Sequence, residues 1–430
     1  MNANQREKQE TNGVLSSDSS AIVLLKDEPP NGGLRAWLQV LGAFFMYFNT
    51  WGIVSSYGSY QTYYESSILS TAGSFQVSSI GAVQSFFMVF LGFIAGPTFD
   101  MGYFKPLIRG GSLLVLLGTI TQGFATEYWQ LLLSQGVCVG IGMGCLAVPS
   151  LAVPSAWFTT KMSLANGIIV SASGFGGVVY PIMIKCLIPR VDFRYTSLIV
   201  ALVIFVTLGL SNVVMRQPQG PRATRGFFDK TALTDAPYIL FVLGCVFVFL
   251  GLYTTFFYVA TFAVEEHIMS DSVATYLVVV LNACSILGRV LPNIPSVTRA
   301  LGPLNMMLVS VFSMALLVLC LNSVPAQLGS GGLLVLVALY GCFTGSFFSL
   351  QPTIFWKLTG DVNRHGTRMG MASTCMSFGL LLGAPSSGAL MRAYGFHASW
   401  AWSGVCLFVG AVAMLGSRGL TGGWRVLKSV

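Results

Sequence analysis

Charge is what this chain has least of. Of its 430 residues only 9% are Asp, Glu, Lys or Arg, and 54% are hydrophobic. Soluble domains carry about 25% charged residues, so this composition excludes a large soluble core and indicates a polytopic membrane protein. Acid is missing where it would cost most: no Asp or Glu falls inside any predicted span. The signatures of common enzymes are missing as well. There is no HExxH, no GxSxG, no P-loop and no cluster of Asp and His at membrane depth, so an enzyme is not expected. No polar stretch is long enough for the nucleotide domain of a primary pump. Nine Cys are scattered through apolar runs without a CxxC; they read as small packing residues, and neither a disulfide nor a metal is expected. The three His sit in loops. The polar first 30 residues contain no signal-peptide core.

Long uncharged runs fill the rest. A spanning helix needs about 20 apolar residues. On that measure twelve helices are predicted at 37–58, 77–98, 107–125, 130–152, 165–187, 195–215, 237–260, 273–296, 303–322, 332–355, 368–391 and 398–418. With both termini on one side, eighteen of the 23 basic residues fall on that side. The positive-inside bias makes it the cytoplasmic side. Residues 1–34 are expected to be a disordered cytoplasmic tail and 419–430 a short one. Residues 35–215 and 237–418 form two six-helix halves, joined by a cytoplasmic linker at 216–236 that carries Pro218 and Pro221. The net charge of +8 belongs to these loops and not to nucleic-acid binding.

The halves repeat. Gly140, Gly142, Gly144 and Pro149 in the fourth span match Gly341, Gly345 and Pro352 in the tenth, about 200 residues on. Gly167, Gly174 and Pro181 match Gly370, Gly379 and Pro385 in the same way. Parallel six-plus-six repeats place a substrate site between the halves near the midplane. The stretch Gly96-Pro-Thr-Phe-Asp100-Met-Gly102-Tyr-Phe-Lys105 follows the second span. Its glycines allow a tight turn, and its acid and base suit a conformational latch between helix ends.

One residue stands out by cost. Arg289 is the single charge placed well inside a predicted span. A cation in hydrocarbon costs about 3 kcal/mol or far more, so it faces a cavity or partner, or snorkels to an interface. With no protein carboxylate at that depth, a substrate carboxylate is the expected partner. Asn49 and Gln84 are uncharged polar residues in apolar runs, suited to substrate contact or to gluing helices together. Tyr253, Phe257 and Phe347, with Tyr258 and Phe348, could line an apolar cavity. Glu265, Glu266 and His267 read as a solvated loop.

Several stretches carry a family resemblance. Gly96 to Lys105 resembles the loop signature of the major facilitator superfamily. Asn31-Gly-Gly-Leu-Arg35-Ala-Trp37, Phe48-Asn49-Thr50-Trp51-Gly52, Trp157 to Gly167, Gly288-Arg289-Val-Leu-Pro292 and Gly366-Thr-Arg368-Met-Gly370 resemble its monocarboxylate transporter family, in the fungal branch. The resemblance covers residues 31–418. It implies an all-α fold of twelve transmembrane helices in two pseudo-repeat halves. It also implies transport of a small organic anion by alternating access, with or without proton symport, and makes Arg289 the carboxylate partner through its forked guanidinium. The sequence departs from animal members in two places: their aspartate one turn before the arginine is Ser285 here, and the first span has no lysine. Those departures leave proton coupling open. They also keep in view an exporter of a bulkier cargo, a flavin-like nutrient or secondary metabolite. A non-transporting sensor of the same fold is the remaining alternative. The expected surroundings are a plasma membrane or an internal one such as the vacuole's. No cofactor is expected, and a monomer suffices.

Overall fold

In lipid every backbone polar group must be satisfied internally, and helices do this within a single segment. The computed structural model describes residues 32–70, 72–154, 157–158, 161–216, 228–323, 329–359 and 364–423, and among these there is no strand. Most of the expected tails at 1–34 and 419–430, and most of the linker, lie outside the described residues. The helices are α1 (Leu34–Ser55), α2 (Ser74–Phe90), α3 (Phe104–Gln122) and α4 (Tyr128–Ala152). Met162–Val214 is one helical stretch broken at Asp192, whose φ is 67°. Its arms, 162–191 and 193–214, are α5 and α6. Then follow α7 (Ala236–Glu265), α8 (Tyr276–Val290), α9 (Pro303–Cys320), α10 (Gly329–Thr359), α11 (His365–Tyr394) and α12 (Phe396–Gly422).

Ten described stretches are long and apolar enough to cross a membrane. One of them, Leu164–Val214, holds both α5 and α6. Counting those arms separately and adding α1 gives the twelve expected helices.

Helix ends differ from the sequence expectation in two places. α1 does not stop at 58. It bends at Ser56, whose hydroxyl donates to the carbonyls of Gly52 and Ile53 at 2.9 Å, a back-bond that bends helices. It then continues as Tyr57–Tyr63 and a π turn, Tyr64–Ile68. The stretch after α2 is helical through Gly92–Asp100, and the turn comes at Gly102, with φ 92°.

Small residues set how closely the helices approach. Gly52 of α1 and Gly176 of α5 touch backbone to backbone; a β-carbon on Gly52 would stand 2.8 Å from Gly176 Cα. Gly341 and Gly345 of α10 press on the carbonyls of Leu281 and Ser285 in α8, and Gly288 presses back on Cys342. Helices that precede residue 217 meet those that follow 227 along three lines: α2 on α11, α5 on α8, and the α1 extension on α7. On the face remote from the chain ends the third line is tight. Gly58 abuts the Phe256 carbonyl, and Tyr57 packs on Phe257 with ring centroids 4.8 Å apart. Beside them the Tyr258 hydroxyl donates to Ala384 O at 3.2 Å. This seam is called the far gate below.

Candidate functional site

α8 carries its polar residues one turn apart: Asn282, Ser285 and Arg289 all lie on its buried face. Side chains on a helix lean toward its N-terminus, which directs the guanidinium of Arg289 back toward the middle of the bundle. Arg289 is 2% exposed, so it does not snorkel. Its Nη1 donates to Ser285 Oγ, and its Nε is buried with no hydrogen-bond partner. Among the described residues no carboxylate pairs with it; the ion pairs described involve Asp229 and Asp235 at the start of α7. A buried cation left this way is expensive, and its neighbours do not neutralise it.

Those neighbours are aromatic. The guanidinium carbon lies 5.6 Å from the ring centroid of Phe348 on α10, a cation–π contact. Trp51 of α1 packs on Phe348 at 5.2 Å, and Tyr253 of α7 lies 6.5 Å from it. Tyr47 and Tyr253 are both close enough to interact electrostatically with Arg289. The Tyr253 hydroxyl is buried and unpartnered. Gly174 of α5 makes room from the other side: a β-carbon there would stand 3.2 Å from Arg289 Nη1 and collide with Ile286. Four helices, α1, α7, α8 and α10, thus converge on one unpaired positive charge in an apolar, ring-walled setting.

The other expected residues fall in different places. Asn49 is held within the helices that precede residue 217. Its Nδ2 donates to Phe45 O at 2.6 Å and Thr207 Oγ1 at 2.9 Å, and its Oδ1 accepts from Tyr180 at 2.7 Å. Gln84 faces α4, its Nε2 placed 3.7 Å from Met143 Sδ and its Oε1 buried without a partner. Phe257 belongs to the far gate. Phe347 packs on Phe249 at 5.5 Å, next to Phe348 and not itself against Arg289. Of the expected latch, Gly96 has open space around it, and the Asp100 side chain lies outside the described residues. Lys105 does tie helix ends together: its Nζ donates to Asn212 O and Met215 O, both at 2.7 Å, closing the C-terminus of α6 as a cation does well.

A second polar cluster lies where the chain re-enters the bundle. Arg368 at the start of α11 donates to Asp229 at 3.0 Å and Asp235 at 2.6 Å. Tyr238 of α7 donates to the Arg368 carbonyl at 2.6 Å. A recess of about 850 Å³ at the α5–α6 bend, lined by Ile188, Asp192 and Tyr195, is far along the chain from Arg289 and does not include it.

The Major Facilitator Superfamily model matches residues 40–360. The chain belongs to that superfamily. This facilitator is similar to the MFS-type transporter dbaD of Emericella nidulans, 36% identical over 90% of this chain and 85% of the relative. It is similar to the aspyridones efflux protein apdF of the same organism, 30% identical over 91% of this chain and 80% of the relative. It is also similar to the agnestins efflux protein AgnL12 of Paecilomyces divaricatus, 32% identical over 89% of this chain and 87% of the relative. Among solved structures, the nucleoside transporter NupG matches with a TM-score of 0.69 over 90% of this chain and all of its own, at 14% identity. That likeness concerns the fold alone.

The facilitator is therefore a multi-pass membrane transporter. Asn282 and Tyr47 are the residues sequence reasoning missed. Asn282 carried the same signal as Asn49, an amide inside an apolar run. It donates to Ser55 O across the α1–α8 contact at 3.3 Å. Ser285 was visible only as a departure from the animal pattern, yet it is the residue that holds Arg289.

Proposed function

We propose that this facilitator exports an anionic secondary metabolite by alternating access. In this reading two six-helix halves rock about Arg289, which receives the acidic group. The observation that carries it is the buried guanidinium with no protein carboxylate beside it. An anion entering the site would gain a charge-assisted, forked contact in a low-dielectric setting. The walls speak for the rest of the cargo. Phe348, Trp51 and Tyr253 offer ring faces that suit a flat conjugated acid better than a short aliphatic one. Relatives named as efflux proteins for aspyridones and agnestins favour the bulkier cargo over a simple monocarboxylate. The resemblance to monocarboxylate transporters accounts for the arginine, not for the rings. Cytoplasmic termini and a plasma-membrane location fit export and belong to the same proposal.

The test is counterflow by the purified protein in vesicles. The panel sets aromatic carboxylic and phenolic acids against short aliphatic monocarboxylates, with neutral analogues of each. Exchange of the aromatic acids alone is expected. Preference for the short acids would return the monocarboxylate reading, and exchange of the neutral analogues at equal rate would sink both. Binding without any counterflow would point to a sensor.

A further inference from the structure

The far gate contains an acid that the transport reading leaves unused. Glu65 sits in the π turn Tyr64–Ile68, beyond the end of the first predicted span. It is half-buried, and its Oε1 accepts a hydrogen bond from Gln61 Nε2 at 3.1 Å. The other end of that amide, Gln61 Oε1, is buried and has no donor. Only a protonated carboxyl can supply one. A carboxylate accepts and cannot donate, whereas a carboxylic acid beside a primary amide can do both. The pair is complete when Glu65 is neutral and one bond short when it is charged.

The surroundings have the same preference. From α7 Tyr258 and Glu265 face Glu65, with Glu266 next in sequence, and from α2 Ser74 does. On its own helix lie Tyr57, Tyr63 and Tyr64; Tyr64 donates to Gln135 of α4 at 2.6 Å. Asp192 at the α5–α6 bend lies toward Tyr63. Arg392 of α11 stands against Gly73, and among the described residues no Lys or Arg is within ion-pair distance of Glu65. Burial pushes the Glu65 carboxyl up to about 7; the Gln61 hydrogen bond works against this and the Glu265 charge adds to it. A carboxyl raised in the closed gate favours closure below its ordinary value, and that support is lost as pH rises through about 7.

We propose that Glu65 is a proton-binding site of the far gate, which closes on the neutral carboxyl and loosens on the carboxylate. The step is a single proton transfer: water on the far side gives a proton to the Glu65 carboxylate as the seam shuts, and takes it back on opening. The inference rests on the alternating-access reading but not on the identity of the cargo, so its test uses none.

The full-length protein in vesicles carries Ser59→Cys, a buried position in the α1 extension. Labelling by a membrane-impermeant maleimide is followed between about pH 5 and pH 8, a range that brackets ordinary and raised carboxyl values. The parent chain corrects for native cysteines, and rates are expressed against the same cysteine in Glu65→Gln. The expected result is a relative rate about tenfold higher at the alkaline end, a figure kept below the full linkage because the carboxyl retains some solvent contact. Glu265→Gln should narrow that span, since it removes the facing charge. Infrared titration of the otherwise native protein should show a protonated-carboxyl band that Glu65→Gln abolishes. A flat ratio, or a carboxyl band unchanged by Glu65→Gln, overturns the proposal, even if counterflow of aromatic acids succeeds.

Discussion

Placing an acid beside Arg289 should turn off its affinity for anions. Ser285 is the position for it: its hydroxyl already accepts from Arg289 Nη1 one turn along α8. In Ser285→Asp a carboxylate would stand there instead. Two unit charges about 4 Å apart attract by about 4 kcal/mol at the effective dielectric of partly solvated protein. Desolvating the new carboxylate consumes part of this. A net gain of about 1.5–3 kcal/mol for the internal pair is a reasonable expectation. An incoming anion must compete with that pair, so its affinity should fall about 10- to 100-fold. The unliganded protein should move the other way, because a buried cation has gained its partner, and its melting temperature should rise. Ser285→Asn, close in shape and neutral, should leave both quantities nearly unchanged. Calorimetric binding of an exchanged aromatic acid and thermal unfolding in detergent read the two effects. Unchanged affinity in Ser285→Asp would refute the reasoning, since the anion would then be bound elsewhere. A loss of both affinity and stability would indicate a packing defect.

Other consequences follow from neighbouring contacts. Gly174→Val should cut transport at least tenfold while the protein still inserts, because a β-carbon there meets Ile286 and crowds the guanidinium; counterflow in vesicles of equal protein content checks this. Asn49→Ala should destabilise by about 1–3 kcal/mol, since it strips Tyr180 and Thr207 of their buried partner, yet cargo affinity measured by calorimetry should hold. Asp229 is held below the usual aspartate range by Thr231 first and Arg368 as well. Its clamp on α11 should therefore stabilise the fold above that range and fade as pH falls through the lowered value. Melting curves in acid should show the fade in the native chain and its absence in Asp229→Asn.

Much of the architecture was legible because the bilayer enforces it. Uncharged runs of the required length had to be helices, and Arg190, Asp192 and Arg194 marked the bend where one helical stretch becomes two spans. Arg289 was legible for the same reason, since few residues are as costly at that depth. Its setting was not. Asn49 and Gln84 give the same signal in sequence, but rotation of their helices turns one into a three-bond tie among α1, α5 and α6 and leaves the other beside Met143. Phe348 and Phe347 are adjacent, and only helix rotation puts Phe348 over the guanidinium. Glu65 read as an acid at a span's end because its burial depends on Gly58 meeting α7, a contact more than 190 residues away in sequence. The bend at Ser56 that brings this about is set by two back-bonds, which composition and periodicity do not register.

The central claim is that Arg289 receives the negative charge of the cargo. Counterflow of a single aromatic acid by the native protein, Arg289→Lys and Arg289→Ala, each shown to be folded by its melting curve, tests this most directly. The account predicts that Arg289→Ala abolishes exchange and that Arg289→Lys, which keeps the charge but loses the fork, retains only a small part of it. Exchange by Arg289→Ala at the native rate would contradict it.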